Sequence, residues 1–521
     1  MTSIAAIDAA RRGDFTAASA ATFAEASEKL EFGFRTQALG DFELAGYWAR
    51  CAGDLVGAEN AYDQALTLHE HDLQHQPLPR LVASYLAHLP QLAGAAALVA
   101  VDRGRPERAL AIAELGRCRA LGLRTGSRAR VVPAGADPAR WEAYIHTWRH
   151  VIAGAIARTD AAGGETDPDL AALTDELVAS GVARSALLPV VAPVTIADAR
   201  AALAGDSAVV YSIRARDRCA LILLDASGAR TIAPDVPPDE GLVSIVANAL
   251  GPAVRRVIWV PHASLVAIPV GALLAQRAAV MYAPSLTVAL AHAATVRGGR
   301  RAVAIEGRGD PGTALTTGAG AIIQPLAANL ATLRPTNGAE LAAALAPADV
   351  AVLSCHGIYD HADPLATALV LAGAGTASLA QLYDELELAP GMLALVAACD
   401  AGTAIQDELN EPLGLPMTLL DAGAQACIGA AWPVRRFPTV ALFLRLVREL
   451  AAGAASPDAL AVAIRWLRTA TKREIAALFA GANHPAAKEY RFLQVERDEV
   501  AFPAAVDWAG FIHWGGPWQL A

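Results

Sequence analysis

The chain has 521 residues, of which 54% are hydrophobic and 18% charged, and its formal net charge is −10. This excludes a disordered chain, and the length predicts roughly three domains or subdomains at ~150 residues each. A negative balance without clustered Lys or Arg excludes broad nucleic-acid binding, which works by neutralising phosphates.

From the amino terminus to about residue 125, alanine-rich segments repeat at helical offsets. Within Gly53-Asp54-Leu55-Val56-Gly57-Ala58-Glu59-Asn60-Ala61-Tyr62-Asp63-Gln64-Ala65-Leu66, the residues Ala58, Tyr62 and Ala65 fall on one face, as in the second half of a tetratricopeptide (TPR) unit. Weaker echoes begin at Gly13-Asp14-Phe15 and Gly104-Arg105-Pro106. Their offsets from Gly53 are 40 and 51 residues rather than a steady ~34, so a degenerate TPR-like array and a plain helical bundle both remain open. A stacked array offers a face for a regulatory protein partner. His69, His71 and His75 lack cysteine or carboxylate companions at ligand spacing and are read as a polar inter-helix loop; no metal and no cofactor is expected.

Residues 126–200 read as a helical linker region, interrupted by the flexible Ala161-Ala162-Gly163-Gly164-Glu165. From Ala208 the period changes to that of strands: Val209-Val210-Tyr211-Ser212-Ile213, Ala220-Leu221-Ile222-Leu223-Leu224 and Val257-Ile258-Trp259-Val260, the first two joined at Arg216-Asp217-Arg218. An α/β domain is therefore expected over residues 201–521. The basic run Arg297-Gly298-Gly299-Arg300-Arg301 reads as a solvated loop. Gly307-Arg308-Gly309-Asp310-Pro311-Gly312 follows a strand at residues 302–305 but lacks the Gly-Lys-Ser/Thr of a phosphate-binding loop.

Two apolar strands then stop at reactive side chains: Ala351-Val352-Leu353-Ser354-Cys355-His356-Gly357 and Leu395-Val396-Ala397-Ala398-Cys399-Asp400-Ala401-Gly402. Open α/β sheets gather chemistry at the carboxyl ends of their strands, so neighbouring strands ending in His356 and Cys399 would set a base beside a nucleophile. The two residues are 43 apart, enough for a crossover and close to the ~50 of the caspase signature. Alternation sends Cys355 to the face opposite His356, into the core, and Cys427 reads as a buried strand residue. Amphipathic helices follow at residues 439–451 and 457–471. The six cysteines, Cys51, Cys118, Cys219, Cys355, Cys399 and Cys427, are scattered without a C-x-x-C pair. With no secretory apolar region after Met1 and no membrane-length apolar run, reduced thiols, a cytoplasmic location and no membrane association are expected.

In the same order, Cys355-His356-Gly357, Asp360, Asp363-Pro364-Leu365, Ala368-Leu369-Val370-Leu371, a helix at residues 379–386, Ala398-Cys399-Asp400, Leu413-Gly414-Leu415 and Trp432-Pro433-Val434 resemble the CHAT family, caspase-like domains joined to TPR helices. Pro261-His262-Ala263-Ser264-Leu265 and Ile268-Pro269-Val270-Gly271-Ala272-Leu273 resemble its segment before the catalytic half, placed here at about residues 301–521. Phe502-Pro503 and Trp508-Ala509-Gly510-Phe511 resemble its closing motif, with Phe502 for the usual histidine and Asp400 for the commoner glutamate.

The resemblance implies an α/β caspase-like fold, a mixed, mostly parallel sheet flanked by helices, behind an all-α TPR-like region. It implies a cysteine endopeptidase acting on a protein or peptide substrate, with Cys399 as nucleophile, His356 as the acid that protonates the leaving amine, and the backbone amides of Gly357 and Cys399 as oxyanion donors. No third catalytic residue is required. Several caspase-like families bind a basic side chain through a pocket carboxylate, for which Asp360, Asp363 and Asp400 are the candidates, though turns and helix caps explain them equally. A catalytically silent TPR/CHAT interaction scaffold is the competing reading, and acyl transfer or hydrolysis of a small ester or amide is a third.

Overall fold

The structure is a computed structural model describing residues 4–75, 79–118, 132–133, 135–157, 168–182, 187, 193–216, 218–236, 241–262, 265–291, 301–307, 318–358, 360, 364–398, 414–490 and 498–520. Residues 161–165, the basic residues Arg297 and Arg300, the glycine-rich loop beyond Gly307, and Asp363, Cys399 and Asp400 lie outside the described residues. Two compact units are formed, one from Met1–Ala201 and Tyr211–Pro238, the other from Ala202–Val210, Asp239–Gln406 and Pro412–Ala521.

The first unit opens with helices α1 (Ile4–Arg11), α2 (Phe15–Glu31), α3 (Arg35–Cys51), α4 (Leu55–His75), α5 (Pro79–Asp102) and α6 (Pro106–Leu115). Each packs on the next. The Gly-Asp pairs seen in the sequence do two jobs at these joints. Gly13 and Gly53 take positive φ, +78° and +79°, which closes the preceding helix, with Asp54 N–H donating back to Ala49 O at 2.9 Å. The aspartates then cap the following helix, Asp14 Oδ1 accepting from Ala17 N at 3.0 Å and Asp54 Oδ1 from Gly57 N at 2.8 Å. Gly33, φ +83°, makes the same turn without an aspartate. The uneven repeat follows from helix length: α2 and α3 have 17 residues each, α4 and α5 have 21 and 24. Small side chains set the packing; Ala38, Ala45, Ala49, Ala58, Ala61 and Ala65 are buried, and the Tyr62 ring lies 3.0 Å from where a Cβ on Gly46 would be. His69 and His71 belong to the last turns of α4, with His69 buried, and so are not in a loop. Among the described residues no helix is long and apolar enough to cross a membrane.

The strands are β1 (Ser207–Ala215), β2 (Arg218–Asp225), β3 (Gly228–Ala233), β4 (Arg256–Val260), β5 (Ala279–Tyr282), β6 (Arg301–Glu306), β7 (Asn329–Leu333), β8 (Val350–Ser354), β9 (His356–Ile358), β10 (Ala368–Val370), β11 (Thr376–Ser378), β12 (Met392–Ala397), β13 (Ala424–Ala430) and β14 (Phe511–Gly515). Eleven form one sheet in the order β3-β2-β1-β4-β5-β14-β13-β12-β8-β6-β7, and β11-β10-β9 form a small second sheet. β7, β6, β8, β12 and β13 are mutually parallel. β14 runs antiparallel to β13 and parallel to β5, which is parallel to β4. The sheet is therefore mixed and mostly parallel, as the family resemblance implies.

Central strands covered on both faces read as unbroken apolar runs, which is why β8 and β13 show no polar alternation. Their two faces are still distinct. Val350 and Val352, Leu393 and Leu395, and Ala426 and Ile428 share one core with Phe443, Val447, Leu460 and Ile464 of the helices Arg436–Ala451 and Ser456–Thr469. Full burial of each such large aliphatic or aromatic side chain contributes about 1.5–3 kcal/mol, and this fixes the level of each strand against its neighbours.

Candidate active site

β8 and β12 are adjacent, parallel and in register, with Val352 opposite Leu395, Leu353 opposite Val396 and Ser354 opposite Ala397. Two residues beyond Ser354 in the sequence comes His356; two residues beyond Ala397 comes Cys399, which lies outside the described residues. The strands bearing the two motifs are thus direct neighbours ending at one level.

His356 opens β9, where it pairs with Val370 of β10, and Gly357 pairs with Leu369. The imidazole is half-buried, and its Nε2 is enclosed without a hydrogen-bond partner among the described residues. Ile358, the last residue of β9, is 54% exposed beside it.

Close approach at this corner depends on Gly307, just past β6. Its N–H donates to Ser354 O at 2.8 Å, and a Cβ there would lie 2.4 Å from Val370 O and 2.7 Å from Cys355 Cβ. Any side chain would push apart β6, the β8–β9 junction and β10. Cys355 is buried as expected, and burial pushes its thiol up to about 12. Cys427, in the middle of β13, is buried and its thiol is likewise pushed far up by burial. Burial also raises the Cys219 thiol to about 11. Cys118 is buried and Cys51 is exposed at the end of α3.

Of the three proposed pocket carboxylates only Asp360 is described. It is half-buried, and its backbone N–H donates to Thr367 Oγ1 at 3.1 Å. A carboxylate that the sequence did not flag, Glu306, lies nearer the strand ends, opposite Ser354 in the β6–β8 register. It is buried; Oε1 accepts from Gly318 N at 2.7 Å, and Oε2 from Arg334 Nη2 at 2.9 Å. Its position as the last residue of an apolar strand was the available signal.

At the end of β13 two separately recognised motifs turn out to be one contact. The Trp432 indole covers Gly510, where a Cβ would sit 2.6 Å from the ring, and its Nε1 donates to Val506 O at 3.0 Å. Arg435 Nε donates to Asp507 Oδ1 at 2.6 Å, Asp507 being fully buried. Trp-Pro-Val and Trp-Ala-Gly-Phe thus lock β14 to β13. Phe502 is buried near Tyr490, a core residue in this chain.

A mixed, mostly parallel sheet, with a histidine just past one central strand and a cysteine motif following the strand in register beside it, defines the caspase-like class of α/β domain. The chain belongs to the CHAT family, whose domain matches residues 236–516. No curated protein matches the chain. Among solved structures it is similar to the Arg-specific cysteine proteinase gingipain R, at 11% identity over 53% of this chain and 66% of that one, with a TM-score of 0.35. A complex of the pro- and mature domains from Porphyromonas gingivalis gives 11% identity, 53% and 67% coverage and a TM-score of 0.35. The Saccharomyces cerevisiae separase–securin complex gives 9% identity, 89% of this chain and 38% of that one, and a TM-score of 0.45. The chain spans less than two thirds of the first gingipain chain and well under half of the separase chain.

Proposed function

We propose that the chain is a cysteine endopeptidase that cleaves a protein substrate through a thioester acyl-enzyme, with Cys399 as nucleophile and His356 as acid and base. The observation that carries this reading is the β8–β12 register, which ends two neighbouring parallel strands level with each other and two residues short of His356 and Cys399. The enclosure of His356 Nε2, which no described residue uses, is consistent with it, and so is the unsuitability of three other thiols, whose burial holds them protonated.

The sulfur attacks the scissile carbonyl, and the tetrahedral oxyanion is held by the amides of Gly357 and Cys399. His356 delivers a proton to the departing amine, then takes one from the water that hydrolyses the thioester. Complete ionisation of an ordinary thiol at pH 7 adds about 30-fold in rate, ~2 kcal/mol, so most of the acceleration must come from elsewhere. One preorganised oxyanion donor contributes about 2.7–4 kcal/mol and positioned proton transfer about 10²–10⁴-fold. Asp360, Asp363 and Asp400 form an acidic pocket that takes a basic side chain before the cleaved bond. A TPR-like region over residues 1–125, followed by a linker over 126–200, binds the regulatory partner that releases the protease domain, 201–521. The setting is cytoplasmic, where thiols stay reduced.

An electrophilic peptide probe carrying arginine at its reactive end, read by intact mass, tests this. Stoichiometric labelling at Cys399 that is lost in His356→Ala is expected. Slow, equal labelling of all accessible thiols would instead make the chain a silent scaffold, and reaction with small thioesters but not peptides would make it an acyl transferase or small-ester hydrolase.

A further inference from the structure

Because β14 is inserted antiparallel to β13, β4 and β5 begin at the same sheet edge at which β13, β12, β8 and β6 end. At the starts of β4 and β5 the second unit has an open cleft of about 740 Å³, floored by the helix Ser456–Thr469. Three guanidinium groups line it: Arg255, Arg277 and Arg465. In a chain of net charge −10 such a concentration of positive charge is not a consequence of composition.

Each guanidinium is anchored by carbonyls rather than neutralised by an acid. Arg255 Nη1 donates to Pro252 O at 2.9 Å. Arg277 Nη1 donates to Val254 O at 2.7 Å, and its Nη2 reaches Gly251 O and Leu250 O. Arg465 Nη1 donates to Ala275 O at 2.5 Å. Among the described residues no carboxylate lies within ion-pair distance of these three. The acid in the lining, Asp458, is held by Arg256 through Nε at 3.1 Å and Nη2 at 2.7 Å.

Carbonyl capping accounts for the bonds these groups make: Arg277 caps the end of the helix Gly241–Ala249, Arg255 the turn at Pro252, and Arg465 the carbonyl of Ala275 that ends the helix Val270–Leu274. Capping does not account for the convergence of all three, from the approach to β4, the approach to β5 and another helix, on one cleft with further donors left over. A guanidinium has five N–H groups in a rigid fork that fits phosphate oxygens in pairs, and carbonyl anchoring fixes the fork without cancelling its charge. The cleft volume falls within the range of small-molecule sites, about 300–1,000 Å³, and its wall includes Val462 and Leu250.

We propose that this cleft binds a small diphosphate-class anion through Arg255, Arg277 and Arg465. The site does not depend on Cys399 or on any protease activity. Calorimetric titration of the full chain with inorganic pyrophosphate at low salt tests it. One-to-one saturable binding is expected, at least about tenfold tighter than orthophosphate because several guanidiniums engage at once. Arg255→Gln and Arg465→Gln are each expected to weaken it about tenfold, with Arg277 left intact for its capping bonds. Binding that persists unchanged in the double variant, equal affinity for orthophosphate, or no saturation at millimolar pyrophosphate would overturn the proposal. If Arg465→Gln does not fold, pyrophosphate-induced thermal stabilisation decides: present in the wild type and lost in Arg255→Gln it supports the site, and equal in both it refutes it.

Discussion

Two histidines, one just past the end of a strand of the large sheet and one inside it, show how position separates a reactive group from a structural one. His356 lies just past the end of β8, half-buried, with an enclosed nitrogen that no described residue uses. His513 lies inside β14 opposite Ile428, fully buried, with Nε2 2.7 Å from Ser456 Oγ and Nδ1 likewise enclosed without a partner among the described residues, so what separates the two is their place on the strand. Ser456 Oγ also accepts from Trp518 N at 2.9 Å, and Ser456 N donates to Trp518 O. The trio ties the segment after β14 to the start of the helix Ser456–Thr469. A Ser–His pair at hydrogen-bond distance looks like catalytic machinery, yet in mid-strand it is a clasp. Burial lowers His513 to about 3, so it stays neutral.

The comparison is broken most severely by removing the reactive pair. Cys399→Ala should abolish peptide-probe labelling, and His356→Ala should slow it by about 10²–10⁴-fold, with the urea midpoint little changed in either. Next comes Gly307→Ala, which puts a methyl against Val370 O and Cys355. A loss of about 1–3 kcal/mol in urea unfolding is expected, together with weaker labelling, because the strands around His356 are forced apart. Ser456→Ala should behave in the opposite way. Leaving His513 unpaired costs about 1–3 kcal/mol of stability, while probe labelling remains at the wild-type rate.

The comparison is sharpened last by a pH dependence. Burial, and secondarily Arg436, lowers His484 to about 4, beside the value of about 3 for His513. In the unfolded chain both titrate near 6.5. Below pH ~6.5 the unfolded chain therefore binds more protons than the folded one, so stability is complete above that pH and declines as pH falls toward 4 and then 3, by at most ~1.4 kcal/mol per pH unit for each histidine. Urea midpoints measured from pH 7.5 to 4.5 should show this decline, and His513→Gln should flatten it.

What the sequence made legible depended on whether the signal was local. The strands at residues 209–213, 220–224 and 257–260 fall within β1, β2 and β4, and the two late amphipathic helices appear as Arg436–Ala451 and Ser456–Thr469, because burial leaves a periodic imprint. Cys355, sent to the core by strand alternation, and Cys427, read as a buried strand residue, are both buried. Gly33 makes the same backbone turn with neither the aspartate that follows Gly13 and Gly53 nor the proline that follows Gly104-Arg105, so no local letter marks it. His69 was misplaced because histidines flanked by acids look like loop sequence even where a helix continues. Glu306, the covering of Gly510 by Trp432 and the arginine cleft were invisible for another reason: each joins residues far apart in the chain, and no local pattern encodes their meeting. Of the proposed site residues, His356 and Gly357 are described at the start of β9, and Asp360 just beyond it.

The insertion of β14 between β5 and β13 has a consequence for synthesis. Every other strand of the large sheet precedes residue 431, so during translation β5 and β13 each present an unzipped backbone flank until Phe511–Gly515 clears the ribosome. A nascent chain stalled before that point carries two sticky edges in the middle of its sheet, inviting capture by another copy or by a chaperone. Premature stop codons upstream of residue 511 should therefore yield insoluble product, not a shortened enzyme.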